Sequence, residues 1–591
     1  MSTSDSDSAV SLSGCSSPRP EETKELTLDE FRRIVFKHGL SLKPQDEEEY
    51  LFVVRDVEKM VEYVNDLPEY IDPRLVPSLQ AQGRTYTVQS RDENPLNAWS
   101  HRFELKDTKA ISAGLLRGRS VAIKDTVSIA GIPFTLGTQP YHLSKSTPYP
   151  IPTIDAPVVS RILAAGGVVT GTSTCENYCM SGLSSTSATG PVENPWLRGC
   201  SSGGSSSGSA VLVAINAVKS WHGKRGLPIE DLGEGADFAI GGDQGGSIRL
   251  PAALSGTYGL KPTHGLVPYT GIASLHPLID HCGPMASSVR DVALLLSVIA
   301  GYDGIDPRMT PESPLRRAAP QYHVLLDQAT TARQLRGEWT PSTAGKGLRV
   351  GVLKEGLEIP SLSPDVATVI RKAAQRFEDL GATVTEVSVG HIHHDALAVW
   401  AGVIRGQMHE VLLGNRAPDL LSHPLPNLTP PVPDQKWYET MTVSNPAVIS
   451  ALLTGSYLAD TKRFGNGYRG KALMHAQQLR DAYDTVFEGV DVVIMPTTPF
   501  VAPRQGKHAG GGEGVMENFR AQAHLASNTA PFNITGHPAL SMPVGWAPVD
   551  GGGEGKLPVG MQIVGRRWDE LGVLFAAAAW EVGGFGLDDE S

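Results

Sequence analysis

Ser247 sits in the run Gly241-Gly242-Asp243-Gln244-Gly245-Gly246-Ser247-Ile248-Arg249-Leu250-Pro251. An apolar, strand-like Phe238-Ala239-Ile240 precedes it, and a short helix-like run from Ser247 to Leu254 follows. Glycines allow a sharp turn between two such elements and leave one hydroxyl among several backbone N–H groups. Acyl transfer needs that combination, because one turn then holds both the attacking oxygen and the donors for the oxyanion it creates. A phosphate nest could use a similar turn, but no Gly-Lys-Ser or Gly-Lys-Thr follows these glycines.

A serine hydroxyl needs a base. The chain has 17 histidines, and none stands in a context that recommends it. Two other segments do. Gly203-Gly204-Ser205-Ser206-Ser207-Gly208-Ser209-Ala210 is a second serine–glycine loop running into an apolar stretch. Val121-Ala122-Ile123-Lys124-Asp125 is a strand-like run that ends in a lysine. A buried lysine can lose its charge and serve as a base, and Ser–Lys pairs are a variant of triad chemistry. Arg249 is expected to lock the turn rather than touch substrate. His264, His281 and His537 are expected to be structural, and Asp243 either orients the nucleophile loop or caps it.

These three segments, in this order, resemble the amidase signature family. The likeness extends through Gly259-Leu260-Lys261-Pro262-Thr263-His264-Gly265, Asn528-Thr529-Ala530-Pro531 and Leu557-Pro558-Val559-Gly560-Met561-Gln562, and covers roughly residues 93 to 570. Gly242-Asp243-Gln244-Gly245, Val267-Pro268-Tyr269-Thr270-Gly271 and Glu93-Asn94-Pro95-Leu96-Asn97-Ala98-Trp99 are most similar to the broad-spectrum enantioselective amidases of nitrile-degrading bacteria. The resemblance implies Ser247 as nucleophile, Ser205 as relay and Lys124 as base. It implies a cis Gly204–Ser205 peptide and an oxyanion site built from the N–H groups of Gln244, Gly245, Gly246 and Ser247. It places Cys179 in the acyl pocket. The implied activity is hydrolysis of small carboxamides to acid and ammonia, with acyl transfer to another nucleophile as the alternative and a non-catalytic relative as a third reading. Because lysine acts as a base only when neutral, activity is expected to rise toward alkaline pH. No metal or organic cofactor is implied.

Two departures stand out. Ser207 occupies a place where a third glycine is common in the family. The spacing from Ser205 to Ser247 (247 − 205 = 42) exceeds the family's. The excess is assigned to Ile215 through Leu232, expected as a surface loop or else as an intron retained in frame.

The elements that position these residues follow from pattern. Residues 1–25 read as a disordered tail. Thr27-Leu28-Asp29-Glu30 forms a capping box ahead of a helix with Phe31, Ile34 and Val35 on one face. A second helix is expected from Asp46 to Asn65, and together they give an N-terminal helical region over 26–92. In the resembled subgroup such a layer dimerises, which implies a homodimer. From 93 to 586 apolar strands alternate with helices, which predicts an α/β fold. The resemblance makes it a three-layer α/β/α architecture with a central mixed sheet. Ser363 and Pro364 mark a helix start between strands at Leu348–Leu353 and Thr383–Val389. Residues 306–345 are expected as a long surface connection, 417–434 as a Pro-rich cover for the acyl pocket, and 510–513 and 551–553 as glycine loops. A formal charge of −12 argues against nucleic acid and anionic membranes as partners. There is no apolar run long enough for a transmembrane helix and no signal sequence at the N-terminus, so a cytoplasmic enzyme acting on a small-molecule amide is expected. The five cysteines, odd in number and without a framework pattern, fit a reducing compartment.

Overall fold

The computed structural model describes residues 25–144, 148–302, 304–414, 428–459, 465, 467–506, 514–549, 555–584 and 586–587. The tail, most of the Pro-rich segment and both glycine runs lie outside these residues. The chain divides into two compact units at Arg74/Leu75, so residues 75–92 belong with the larger unit.

The smaller unit is a helix pair, α1 (Leu28–Lys37) and α2 (Pro44–Asp66). The capping box forms in full: Thr27 Oγ1 accepts from the Glu30 backbone N–H, and Glu30 Oε2 accepts from the Thr27 N–H. The pair is fastened at one end by Arg32 on Glu47 and at the other by Arg55 on the Leu26 carbonyl.

The larger unit is built on one twelve-stranded mixed sheet. Its strands are β1 (Ala81–Gln82), β2 (Trp99–Asp107), β3 (Ser120–Lys124), β4 (Val168–Ser173), β5 (Phe238–Asp243), β6 (Tyr258–Lys261), β7 (His281–Ala286), β8 (Arg349–Leu353), β9 (Thr383–Val387), β10 (Val492–Pro496), β11 (Ala539–Pro548) and β12 (Lys556–Gly565). Their order across the sheet is β1-β2-β4-β3-β5-β7-β6-β11-β12-β10-β8-β9. β4, β3 and β5 run parallel, as do β10, β8 and β9. β5, β7 and β10 are buried along their whole length, which requires helices on both faces and gives the expected three layers.

Strand alternation assigns each face its partners. Val121, Ile123, Phe238 and Ile240 pack with α3 (Pro157–Ala164) and α6 (Val289–Ile299). Ala122 and Ala239 point the other way, into Val211, Leu212 and Ile215 of α4 (Ser207–Arg225). Full burial of each such valine, leucine or isoleucine contributes about 1.5–3 kcal/mol. The period of two therefore puts Lys124 on the face of Ala122, toward α4.

Two expectations about connections change. Ile215 through Arg225 is not a loop. It continues α4, because Ile215 and Val218 fall three apart on the buried side and Trp221 extends the stripe. Trp221 packs edge-to-face against Trp196 and at a tilt against Trp546, Arg225 lies 4.3 Å over its ring, and its indole N–H reaches the Leu587 carbonyl at 2.7 Å. Only after the Gly226 cap, at φ 64°, does the chain leave regular structure. Within 306–345 lies a helix, α7 (Tyr322–Leu335), that buries Tyr322 and Leu326 four residues apart. No capping residue announces it. The helix expected after Ser363 is α8 (Pro364–Asp379), and Gly381 follows it at φ 85°. Among the described residues no helix is long and apolar enough to cross a membrane.

Candidate active site

Three parallel strands end side by side, and each delivers a group at its carboxyl end, where open α/β sheets place ligands. β3 ends in Lys124, β4 leads into the segment carrying Glu176 and Cys179, and β5 leads into the Ser247 turn. α4, beginning just after Ser205, brings the fourth group from the face toward which Lys124 points.

Lys124 is buried, 1 % exposed, and its Nζ donates to Ser205 Oγ at 2.8 Å. The Gly204–Ser205 peptide is cis. Gly204 is squeezed: a Cβ there would lie 2.6 Å from the Ser181 carbonyl and 2.8 Å from Glu176 Cγ. Ser207, the departure from the family's glycine, has a use. Its hydroxyl donates to Glu176 Oε1 at 2.9 Å, while Glu176 Oε2 accepts from the Thr186 N–H and hydroxyl, both at 2.7 Å. Burial nevertheless dominates, and it pushes this carboxyl up to about 7 against the pull of those three donors.

The Ser247 turn is held from all sides. Asp243 Oδ1 accepts from the Gly246 N–H at 2.7 Å and Oδ2 from the Ile248 N–H at 3.2 Å. Arg249, fully buried, gives Nε and Nη2 to Asp243 at 3.0 Å, Nη1 to Gln562 and Nη2 also to Asn533. It locks the turn, as expected. Burial would raise the Asp243 carboxyl, but the Arg249 cation overcomes that and holds it at about 2. Trp400 Nε1 donates to the Gln244 carbonyl at 2.8 Å and Thr529 Oγ1 to the Gly245 carbonyl at 2.6 Å. A planar trans peptide points its N–H opposite to its carbonyl, so these two contacts also aim the amides. The Gly246 N–H is occupied by Asp243. Among the described residues the N–H groups of Gln244, Gly245 and Ser247 meet no acceptor.

Ser247 is half-buried on the wall of a cavity of about 250 Å³, shared with Cys179, Gln244 and Gly245. The Ser206 N–H donates to the Ser247 carbonyl at 3.2 Å, which docks the two serine segments. No direct hydrogen bond joins the Ser205 and Ser247 side chains among the described residues. Cys179, at φ 57°, has its thiol held below the ordinary range by the hydrogen bond from Cys175 and then by Lys124. Burial pushes Cys175 the other way. His281 and His537 are buried and His264 is half-buried; they rest on backbone carbonyls, Thr535 and Asp484, and none lines this cavity.

The amidase family profile matches residues 95–224 and 233–574, well over half of the chain. This chain belongs to the amidase family. The break in the match, 225–232, begins at the last residue of α4. The chain is 34% identical over 522 residues to an enantioselective amidase of Rhodococcus rhodochrous, covering 86% of this chain and 87% of that one. It is 31% identical to the A-subunit of the glutamyl-tRNA(Gln) amidotransferase of Methanosarcina barkeri, over 79% of this chain and 85% of the relative. The crystal structure of the corresponding A-subunit from Thermotoga maritima superposes with a TM-score of 0.57 at 25% identity, covering 79% of this chain and 83% of that one.

Several groups around this amidase-family site carry no local sequence signal. Trp400, on α9 (Ile392–Gly414), Thr529, Asn533 and Gln562 all reach the Ser247 turn from more than 150 residues away. Glu176 stands between ordinary residues, and only its burial marks it. Of the expected pocket cover, residues 428–434 are described and do not line the cavity. Leu428 packs into the α9 core instead, and the Thr429 N–H donates to the Leu143 carbonyl.

Proposed function

We propose that this protein hydrolyses small carboxamides to a carboxylic acid and ammonia through an acyl-enzyme on Ser247. The observation that carries the reading is the buried 2.8 Å contact from Lys124 Nζ to Ser205 Oγ, beside Cys179, which lines the cavity that holds Ser247. Neutral Lys124 takes the Ser205 proton while Ser205 Oγ takes the Ser247 proton. The Ser247 oxygen bonds to the amide carbon, and the C=O pair moves onto oxygen. The N–H groups of Gln244, Gly245 and Ser247 are the donors left for that oxyanion, and loss of one such donor costs about 3 kcal/mol of barrier. The relay returns its proton to the departing nitrogen, C–N breaks, and water attacks the ester by the same route. The Ser205–Ser247 hydrogen bond closes in the substrate complex, as apo catalytic contacts commonly do.

Acyl transfer to an amine is the second reading, favoured by the amidotransferases among the relatives. One assay separates the outcomes. Ammonia release from a panel of aliphatic, aromatic and amino-acid amides is expected with wild type and lost in Ser247→Ala, together with labelling by a fluorophosphonate probe. Product that appears only with an added amine would favour transfer. Labelling that survives Ser247→Ala would move the nucleophile elsewhere.

A further inference from the structure

The cavity beside Ser247 is mostly apolar: Leu250, Leu275, Leu397, Phe519 and Leu525 contribute to its wall. One lining residue, Arg405 of α9, carries a charge. Arginines elsewhere in the interior have acceptors: Arg84 meets Asp155, Arg249 meets Asp243, Arg308 meets Asp280 and Asp306, and Arg376 meets the carbonyls of Trp580 and Val582. Arg405 has no carboxylate and no hydrogen-bond acceptor among the described residues. Burial alone acts on its guanidinium, which it pushes down from the ordinary arginine range. Arg405 is half-buried, and a partly desolvated cation without a counter-charge is costly, while a wall of leucine and phenylalanine offers it nothing. The helix rise sets Arg405 about 7.5 Å along the axis from Trp400, whose indole touches the nucleophile turn. The cation therefore stands apart from the oxyanion, further along the cavity.

We infer that Arg405 is a specificity-determining residue that receives a carboxylate on the acyl part of the substrate, so that the preferred substrates are short carboxamides with an acid group at the far end. This rests on the amide-hydrolysis reading of the same site. The planar guanidinium fork matches a carboxylate in a bidentate manner, and the substrate supplies the missing counter-charge. The apolar wall between the two polar ends fits the intervening methylene chain.

The test compares succinamic, glutaramic and adipamic acids with neutral alkanamides of equal length, by ammonia release. Wild type is expected to favour the best acid over its neutral counterpart by about 10- to 100-fold in kcat/KM, the span of one charge-assisted hydrogen-bonded contact. Arg405→Met is expected to abolish that ratio mainly through KM, Arg405→Lys to restore part of it, and Arg405→Glu to turn it toward ω-amino alkanamides. A wild-type ratio at or below one overturns the inference even if every variant fails to fold, and so does an unchanged ratio in Arg405→Met. A binding measurement stands apart from turnover: glutarate should slow fluorophosphonate labelling of Ser247 and glutaramide should not. Equal effects of the two overturn the inference whether or not any amide is cleaved. Failure of every amide in the panel, with protection by glutarate intact, removes the hydrolysis reading and leaves the carboxylate site standing.

Discussion

Glu176 offers a change whose size can be worked out beforehand. It is fully buried beneath the Ser205 loop, and its carboxyl is pushed up from 4.5 to about 7. The difference of 2.5 units, at about 1.36 kcal/mol each, is about 3 kcal/mol. The sign follows from proton counting. Between 4.5 and 7 the folded chain keeps a proton that the unfolded chain has lost, so stability falls as pH rises through this window and then levels off. Glu176→Gln removes the dependence. Its Oε1 can accept both Thr186 donors, its Nε2 can donate to Ser207 Oγ, and that hydroxyl can turn to the Thr174 carbonyl, 3.5 Å away. Urea midpoints of wild type and Glu176→Gln at pH 4.5, 6 and 8 provide the measurement. The variant should match wild type at pH 4.5 and exceed it by about 3 kcal/mol at pH 8. Glu581, also raised to about 7 by burial and bonded to Tyr258, leaves part of the slope in both proteins. A variant that is less stable at pH 8, or a gap that does not widen with pH, refutes the reasoning.

Asp243→Asn leaves the Arg249 cation buried without its partner, so it should cost about 3–5 kcal/mol in urea unfolding and slow probe labelling of Ser247. Gly208→Ala at the start of α4 drives a Cβ to 2.3 Å from the Ala98 carbonyl and 2.7 Å from the Thr174 N. It should cost about 1–3 kcal/mol and slow the same labelling reaction. Gly223→Ala, in the same helix with open space around it, should instead gain about 0.5–1 kcal/mol by helix propensity.

What the sequence reveals is what is local. The capping box at Thr27, the strand carrying Lys124 and the glycine turn at Ser247 each lie within a dozen residues, and each forms as its pattern demands. The pairing of Lys124 with Ser205 is legible through family likeness, and the alternation of β3 then explains it physically. α7 escapes notice because Tyr322 and Leu326 are its only buried anchors and it lacks a cap. The extension of α4 looks like a loop because Lys219, Ser220, His222 and Gly223 obscure the apolar stripe of Ile215, Val218 and Trp221. Trp400, Arg405 and Glu176 gain their roles only from the residues folding places opposite them. Nothing in the sequence around Arg405 announces that it meets no acid among the described residues.

The clasp on the Ser247 turn also has a consequence in time. Arg249 is completed by Asn533 and Gln562, which lie 284 and 313 residues further along the chain. At about 5–20 residues per second, a ribosome takes roughly 15–60 s to travel from the turn to its final latch. Throughout that interval Ser247 exists without the frame that holds its turn. Nascent polypeptides and fragments cut short of β12 carry Lys124, Ser205 and Ser247 but lack Gln562 from the clasp, so the turn is completed only when nearly the whole chain has been made.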